Sequence, residues 1–262
     1  FMIANIGVHP KLLLKEGKGY IFTNRLARDL TEICQAFYPR PVVYRATDFK
    51  TNEYRFLKGG KEFEPEEANP MLGYRGTYRY VSDPEEFRLE INAIKKVRES
   101  GLDNLHFMLP FVRSPMHLRK AKALVEAQGL IFSDKFKLWM MVELPVNVIL
   151  LDDFLAEGIQ GVSIGSNDLT MLLLGTDRDN DTVAPLFDER NEAVYWALKK
   201  TITTCHNFGI TSSICGQSVS DYPEILETVV KSGVTSVSIN HDSIWRTLEA
   251  IHNLENNHGA NH

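Results

Sequence analysis

Two acids at the ends of apolar runs are the residues in this sequence best suited to chemistry. KLWMMVELP (137–145) is apolar until Glu143, with Pro145 just beyond. GVSIGSNDLT (161–170) is apolar until Gly165 and then turns polar as far as Asp168. Each run reads as a buried strand that delivers a carboxylate to its C-terminal end. Hard oxygen ligands on consecutive strands suit Mg²⁺ or Mn²⁺. The competing reading is that each acid caps the helix that follows. A pair of acids in sequential strands favours the metal.

Other strand-like runs also end in reactive types. Arg45 follows PVVY, with Thr47 and Asp48 after it, and Arg75 stands in NPMLGYRG between Gly73 and Gly76. Each arginine could pair with a neighbouring acid. Two of them at strand ends also suit a clamp for carboxylate or phosphate, because the guanidinium fork binds such groups bidentately. Cys215 ends ITSSIC and precedes Gly216. It reads either as a small packing residue or as an acid–base thiol whose pKa is tuned by its surroundings. Cys34 and Cys205 fall inside helical patterns and read as packing. His9, His106, His117, His206, His241 and His252 show no metal-ligand spacing. A divalent cation, two arginines and one thiol suit a small 2-oxo acid. The cation would bind its oxygens and stabilise negative charge, and the thiol would move a proton at the adjacent carbon.

The elements that must position these groups alternate along the chain. Strand candidates are 41–46, 104–111, 137–142, 161–165, 210–215 and 235–240, with a weaker one at 71–75. Helix candidates lie near 24–38, 83–100, 115–128, 146–157, 190–208, 221–232 and 242–255. Phe87, Ile91, Ile94 and Val97 have helical spacing. Alternation of this kind implies a parallel sheet. The expected fold is α/β, a (β/α)₈ TIM-type barrel showing seven of its eight strands. The first strand is expected to be truncated, since FMIANIGVHP opens the chain without a strand pattern. An open doubly wound sheet is the alternative, but no GxGxxG follows a strand. Residues 6–254 read as the barrel and 255–262 as a polar, disordered tail.

The chain has 262 residues, 44% hydrophobic and 24% charged, with a net charge of −5. These values are ordinary for a globular protein, and without a basic stripe they argue against nucleic acid. No run approaches the length of a membrane span, and no signal peptide is visible. Three cysteines without disulfide spacing suit a reducing cytoplasm.

Several segments together carry a family resemblance. YRATDFKTNEYRFLKGG (44–60), NPMLGYRG (69–76), FMLPFVR (107–113), MMVELP (140–145), GVSIGSNDLTMLLLGTDRD (161–179), LFDERN (186–191) and ICGQ (214–217) resemble the C-terminal barrel of the phosphoenolpyruvate synthases, the pyruvate, water dikinases. Pyruvate phosphate dikinase and Enzyme I of the phosphotransferase system have similar barrels, but TDFKTNEY and LFDERN favour the synthases. The resemblance runs from Ile6 to Leu254 and implies a barrel that binds phosphoenolpyruvate or pyruvate with Mg²⁺, Mn²⁺ being possible. Matched by motif, Glu143 and Asp168 would hold the metal, and Arg45 and Arg75 would contact substrate. Gly165, Ser166 and Asn167 would line the site, and Cys215 would exchange a proton with substrate C3.

The family's first strand carries a further arginine, and this chain begins just after that point. The connection from Pro10 to Thr23 is also shorter than is usual in the family. The ATP-binding and phosphohistidine domains of the complete enzyme have no counterpart in these motifs. The chain is therefore expected to host the half-reaction on pyruvate, with the phosphoryl donor supplied by another domain, and to form a homodimer. The rivals are a metal-dependent 2-oxo-acid aldolase or lyase, which would not need Cys215, and a non-catalytic binding module.

Overall fold

The computed structural model describes residues 2–259. It shows an α/β fold with six strands: β1 (Val42–Arg45), β2 (Leu105–Leu109), β3 (Leu138–Val142), β4 (Gly161–Gly165), β5 (Thr211–Cys215) and β6 (Ser236–Val237). The strands follow chain order in one sheet. By contacts the chain divides into two units, Phe1–Trp139 and Met140–His262.

In the first unit β1 runs parallel to β2, with Val42 opposite Leu105 and Arg45 opposite Met108. β2 is buried along its whole length, as a parallel strand covered on both faces must be. The backbone N–H of Phe107 donates to the Lys137 carbonyl at 3.1 Å, which carries the ladder toward β3. Two helices cover this part of the sheet. Gly19–Phe37 buries Phe22, Leu26, Leu30 and Cys34. It packs against Pro84–Glu99, which buries Phe87, Ile91, Ile94 and Val97 at the expected spacing. Pro84 occupies the first turn of that helix, where its missing N–H costs nothing. The Asn104 side chain donates to the carbonyls of Cys34 (3.0 Å) and Arg40 (2.9 Å), tying the end of the first helix to the start of β2.

The strands of the second unit also pair in parallel. Every residue from Gly161 to Gly165 pairs in sequence with Thr211 to Cys215. β5 then pairs with β6 through Ser213–Ser236 and Ile214–Val237. The helix Glu192–Asn207 buries Val194, Ala197, Leu198, Ile202 and Cys205. Burial pushes the Cys205 thiol up to about 12, consistent with a packing role.

Several sequence expectations change. Residues 71–75 are a turn: Leu72 and Gly73 donate to Asn69 and Pro70 (3.2 Å each), and the Tyr74 N–H goes to the Glu67 carboxylate, so no ladder forms. Six strands, where seven were expected, are therefore found among the described residues. β6 is only two residues long, because Asn240 leads into a helical turn at His241–Ser243. The segment 146–157 splits into Pro145–Ile149 and Leu151–Ala156. The segment 221–232 starts anew at Pro223, since Tyr222 is held extended before the proline. The last helix, Ile244–Gly259, runs past residue 255, where a disordered tail was expected. One pair along its surface is Asn256 Nδ2 with His252 Nε2, at 3.0 Å. Residues 260–262 lie outside the described residues. No helix among the described residues is long and apolar enough to cross a membrane.

Phe87 is 1% exposed and stacks on Tyr80 with ring centroids 4.3 Å apart. Phe87→Ala should cost about 3–5 kcal/mol of stability, read as a lower midpoint in urea denaturation.

Candidate functional site

The first unit carries both arginines, Arg45 at the end of β1 and Arg75 in the turn 71–75. Arg45 closes β1 and is exposed. With Ile3, Leu26, Tyr44, Ala46, Thr47, Asp48 and Phe49 it lines a pocket of about 250 Å³. Arg75 is 5% exposed and held from several sides. Its Nε donates to Asp48 Oδ1 at 3.1 Å, and its Nη2 donates to the other oxygen of the same carboxylate. Its Nη1 meets Met71 Sδ at 2.7 Å, and its guanidinium lies 3.9 Å from the Phe111 ring. Arg75 thus makes the ion pair with a neighbouring acid that the sequence allowed.

The turn around Arg75 is fixed by charged groups below it. Glu64 accepts from both terminal nitrogens of Arg79 at 2.6 Å and contacts His9 Nε2 at 2.9 Å. Arg79 also donates to the Tyr74 carbonyl at 3.1 Å. Burial would push the Glu64 carboxyl up, but Arg79 and His9 outweigh it and hold the carboxyl low. His9, Glu64 and Glu86 offer ligand atoms within 4.8 Å of one another. The Arg79 guanidinium already sits against that group, so its charge is matched by arginine. His106 reads as a core residue: burial pushes it down to about 4, and its Nδ1 accepts from the Lys137 N–H at 3.2 Å.

The second unit brings the other expected residues together. Glu143 follows β3 and is 2% exposed. The N–H groups of Glu143 and Leu144 donate to Asn147 Oδ1 at 3.3 and 2.9 Å, which fixes the turn into Pro145–Ile149. Asp168 stands in the first turn of Ser166–Leu174, where a negative charge is favoured. Carboxylate oxygens of Glu143 and Asp168 lie within 4.8 Å of each other. A Cβ built at Gly165 would come within 3.0 Å of Glu143 Oε2 and 2.9 Å of Met141 Cε, so glycine lets the acid lie against the end of β4. This all-oxygen pair fits a hard divalent cation.

Cys215 is opposite Gly165 in the β4–β5 register. Its Sγ donates to the Ile164 carbonyl at 3.4 Å and accepts from Ser163 Oγ at 3.5 Å. Gly216 has φ +115°, and a Cβ there would lie 2.3 Å from Ser166 Oγ and 3.6 Å from Asn167 Oδ1. Gly165, Ser166, Asn167, Asp168, Glu143 and Cys215 therefore share one neighbourhood. Glu189 is 4% exposed; burial pushes its carboxyl up against the opposing pull of the Ser166 hydroxyl.

A family model described as the PEP-utilising enzyme, PEP-binding domain (PEP being phosphoenolpyruvate), matches residues 9–256. The chain belongs to this family. Among relatives of this PEP-binding domain is a "Probable phosphoenolpyruvate synthase" of Staphylothermus marinus. It is 49% identical over 261 residues, covering 97% of this chain and 31% of the relative. The phosphoenolpyruvate synthase of Aeropyrum pernix is 47% identical (97% of this chain, 32% of the relative). That of Helicobacter pylori is 44% identical (97% and 33%). The PEP-binding domain thus spans about a third of the length of the curated relatives it matches.

Three supporting residues of this domain escape sequence reasoning: Arg113, Asn147 and Glu189. Each binds or neighbours the backbone or side chain of a site residue. Only the polar residues punctuating FVRS, LPVN and FDER could have hinted at them.

Two predictions concern this framework. Gly76 has φ +61°, and a Cβ there would lie 2.4 Å from Phe111 Cβ. Gly76→Ala should destabilise the fold by more than the ~0.4–1 kcal/mol that the same change gains at a glycine of compatible backbone, visible as a lower thermal midpoint. Glu90 accepts from Tyr44 Oη (2.6 Å) and the Thr47 N–H (3.0 Å), yet burial raises it to about 7. The folded state then holds a proton that the unfolded state has already lost. Its contribution to stability should fall as pH rises from the ordinary glutamate range to about 7, with a slope of at most ~1.4 kcal/mol per pH unit. Denaturation of Glu90→Gln across that range should show a shallower decline than the wild type.

Proposed function

We propose that this chain is the phosphoenolpyruvate/pyruvate domain of a phosphoenolpyruvate synthase. It would work with Mg²⁺ and take a phosphoryl group from a phosphohistidine carried on another domain. The reading rests chiefly on one observation. Glu143 and Asp168 hold carboxylate oxygens within 4.8 Å of each other beside the strand pair that presents Cys215. The parallel sheet is read as part of a (β/α)₈ barrel, functioning as a homodimer in the cytoplasm.

A divalent cation held by Glu143 and Asp168 would withdraw charge from the substrate's oxygens. The chain's own residues would do the rest. Arg45 and Arg75 would balance the carboxylate and the incoming phosphoryl group. For Arg75 this means sharing its fork with Asp48, or exchanging Asp48 for the anion. Gly165, Ser166 and Asn167 would let the substrate lie close to the backbone at the start of Ser166–Leu174. The Cys215 sulfur, as thiolate, would take one proton from the pyruvate methyl group, leaving an enolate. The enolate oxygen would attack phosphorus, forming the P–O bond as the P–N bond to histidine breaks. In reverse the thiol would return the proton to C3. Ser163 donates to the sulfur and can keep that bond in the thiolate, whereas the hydrogen given to the Ile164 carbonyl belongs to the protonated thiol, the form that returns the proton to C3.

Calorimetric titration with phosphoenolpyruvate should show binding that depends on Mg²⁺ and is lost in the Glu143→Ala/Asp168→Ala double variant. Metal-independent binding, or none by the folded chain, overturns the reading. Cys215→Ala should bind phosphoenolpyruvate but fail to exchange methyl hydrogens of pyruvate with D₂O, followed by NMR. Unchanged exchange would remove Cys215 from the proton transfer.

A further inference from the structure

Arg113 follows β2 in the stretch Pro110-Phe111-Val112-Arg113, and its side chain turns back onto the Arg75 turn. Nη2 donates to the carbonyls of Gly73 (2.6 Å) and Leu72 (3.2 Å), and Nη1 donates to the carbonyl of Arg75 itself (3.2 Å). One guanidinium thus gathers three carbonyls from four consecutive residues. Lysine has a single nitrogen on a flexible stem and cannot reproduce that fork.

The residue in contact with both arginines is also unusual. Phe111 has φ +49°, a region that residues with a Cβ seldom occupy. Two cations contact its ring, the Arg75 guanidinium at 3.9 Å and that of Arg113 at 4.7 Å from its centre. Two positive groups against one ring repel each other. The arrangement stands because Asp48 balances Arg75 and the three carbonyls balance Arg113. Non-glycine residues at positive φ cluster where geometry serves function.

We propose that Arg113 is a positioning residue for the anionic substrate: it binds no substrate itself, but fixes the backbone from which Arg75 reaches it. The proposal rests on the assignment of Arg75 to substrate binding made above. It makes Arg113 a determinant of phosphoenolpyruvate affinity and leaves metal affinity to Glu143 and Asp168.

The test uses the full chain with Arg113→Ala and Arg113→Lys. Phosphoenolpyruvate is titrated by calorimetry with Mg²⁺ present, and Mn²⁺ alone by electron paramagnetic resonance. Both variants should bind phosphoenolpyruvate about tenfold to a hundredfold more weakly, the scale expected when a binding group is misplaced. Mn²⁺ affinity should stay at the wild-type value. Millimolar guanidinium should restore phosphoenolpyruvate binding to Arg113→Ala. Without any ligand, amides in the 72–75 segment should exchange with D₂O faster in both variants.

Binding of phosphoenolpyruvate by Arg113→Lys at the wild-type affinity would show that charge alone matters and overturn the positioning role. Parallel loss of Mn²⁺ and phosphoenolpyruvate affinity would show a general structural role and overturn it too. Failure of the wild type to bind phosphoenolpyruvate would sink the functional reading instead. Amide exchange still decides the clamp in that case: unchanged protection of 72–75 overturns it.

Discussion

Burial of charge governs this molecule. Several of its carboxylates and guanidinium groups, Glu64, Arg75, Arg79 and Glu143 among them, lie almost out of reach of water, and each would be costly there alone. In the first unit the solution is pairing. Asp48 takes the fork of Arg75, and Glu64 takes that of Arg79 with His9 at its other side. Removing one partner from such a pair would strand the other, so the turn at 71–75 and the helix that begins at Thr77 are fixed by electrostatics as much as by packing. Aromatic rings do the remaining work, with Tyr54 and Tyr74 near Arg79 and Phe111 near Arg75.

The second unit handles charge differently. Glu143 and Asp168 have like sign, yet the fold sets them side by side. Local backbone geometry makes the approach possible: Asn147 fixes the turn after β3, and the missing Cβ at Gly165 admits the Glu143 side chain. The same device recurs at Gly216, where Ser166 comes close. Glycine here means contact between neighbouring strand ends more than flexibility.

Much of this was legible in the sequence, for identifiable reasons. Helix Pro84–Glu99 and strands β2 and β4 were readable because their apolar patterns coincide with burial. The acids at 143 and 168 stood out because each breaks such a pattern abruptly. The turn at 71–75 misled because Met71, Leu72 and Tyr74 look like a strand, while Glu67 and two glycines decide the backbone. Glu67 acts from a few residues upstream by accepting the Tyr74 N–H. The length of β6 and the break at Leu150 were hidden because both depend on local hydrogen bonding rather than hydrophobic spacing. Arg113 was unreadable in principle. Its partners are carbonyls about forty positions away, and carbonyls belong to every residue.

The unbroken register between β4 and β5 has a consequence for how such a chain can diversify. Side chains alternate between faces along a strand, so inserting or deleting one residue in 211–215 would turn Cys215 to the opposite face and offset it from Gly165. Changes of length there alter the pairing of every position that follows, which a substitution does not. The five positions act as a ruler, and tolerance of insertions should be confined to the connections on either side of it.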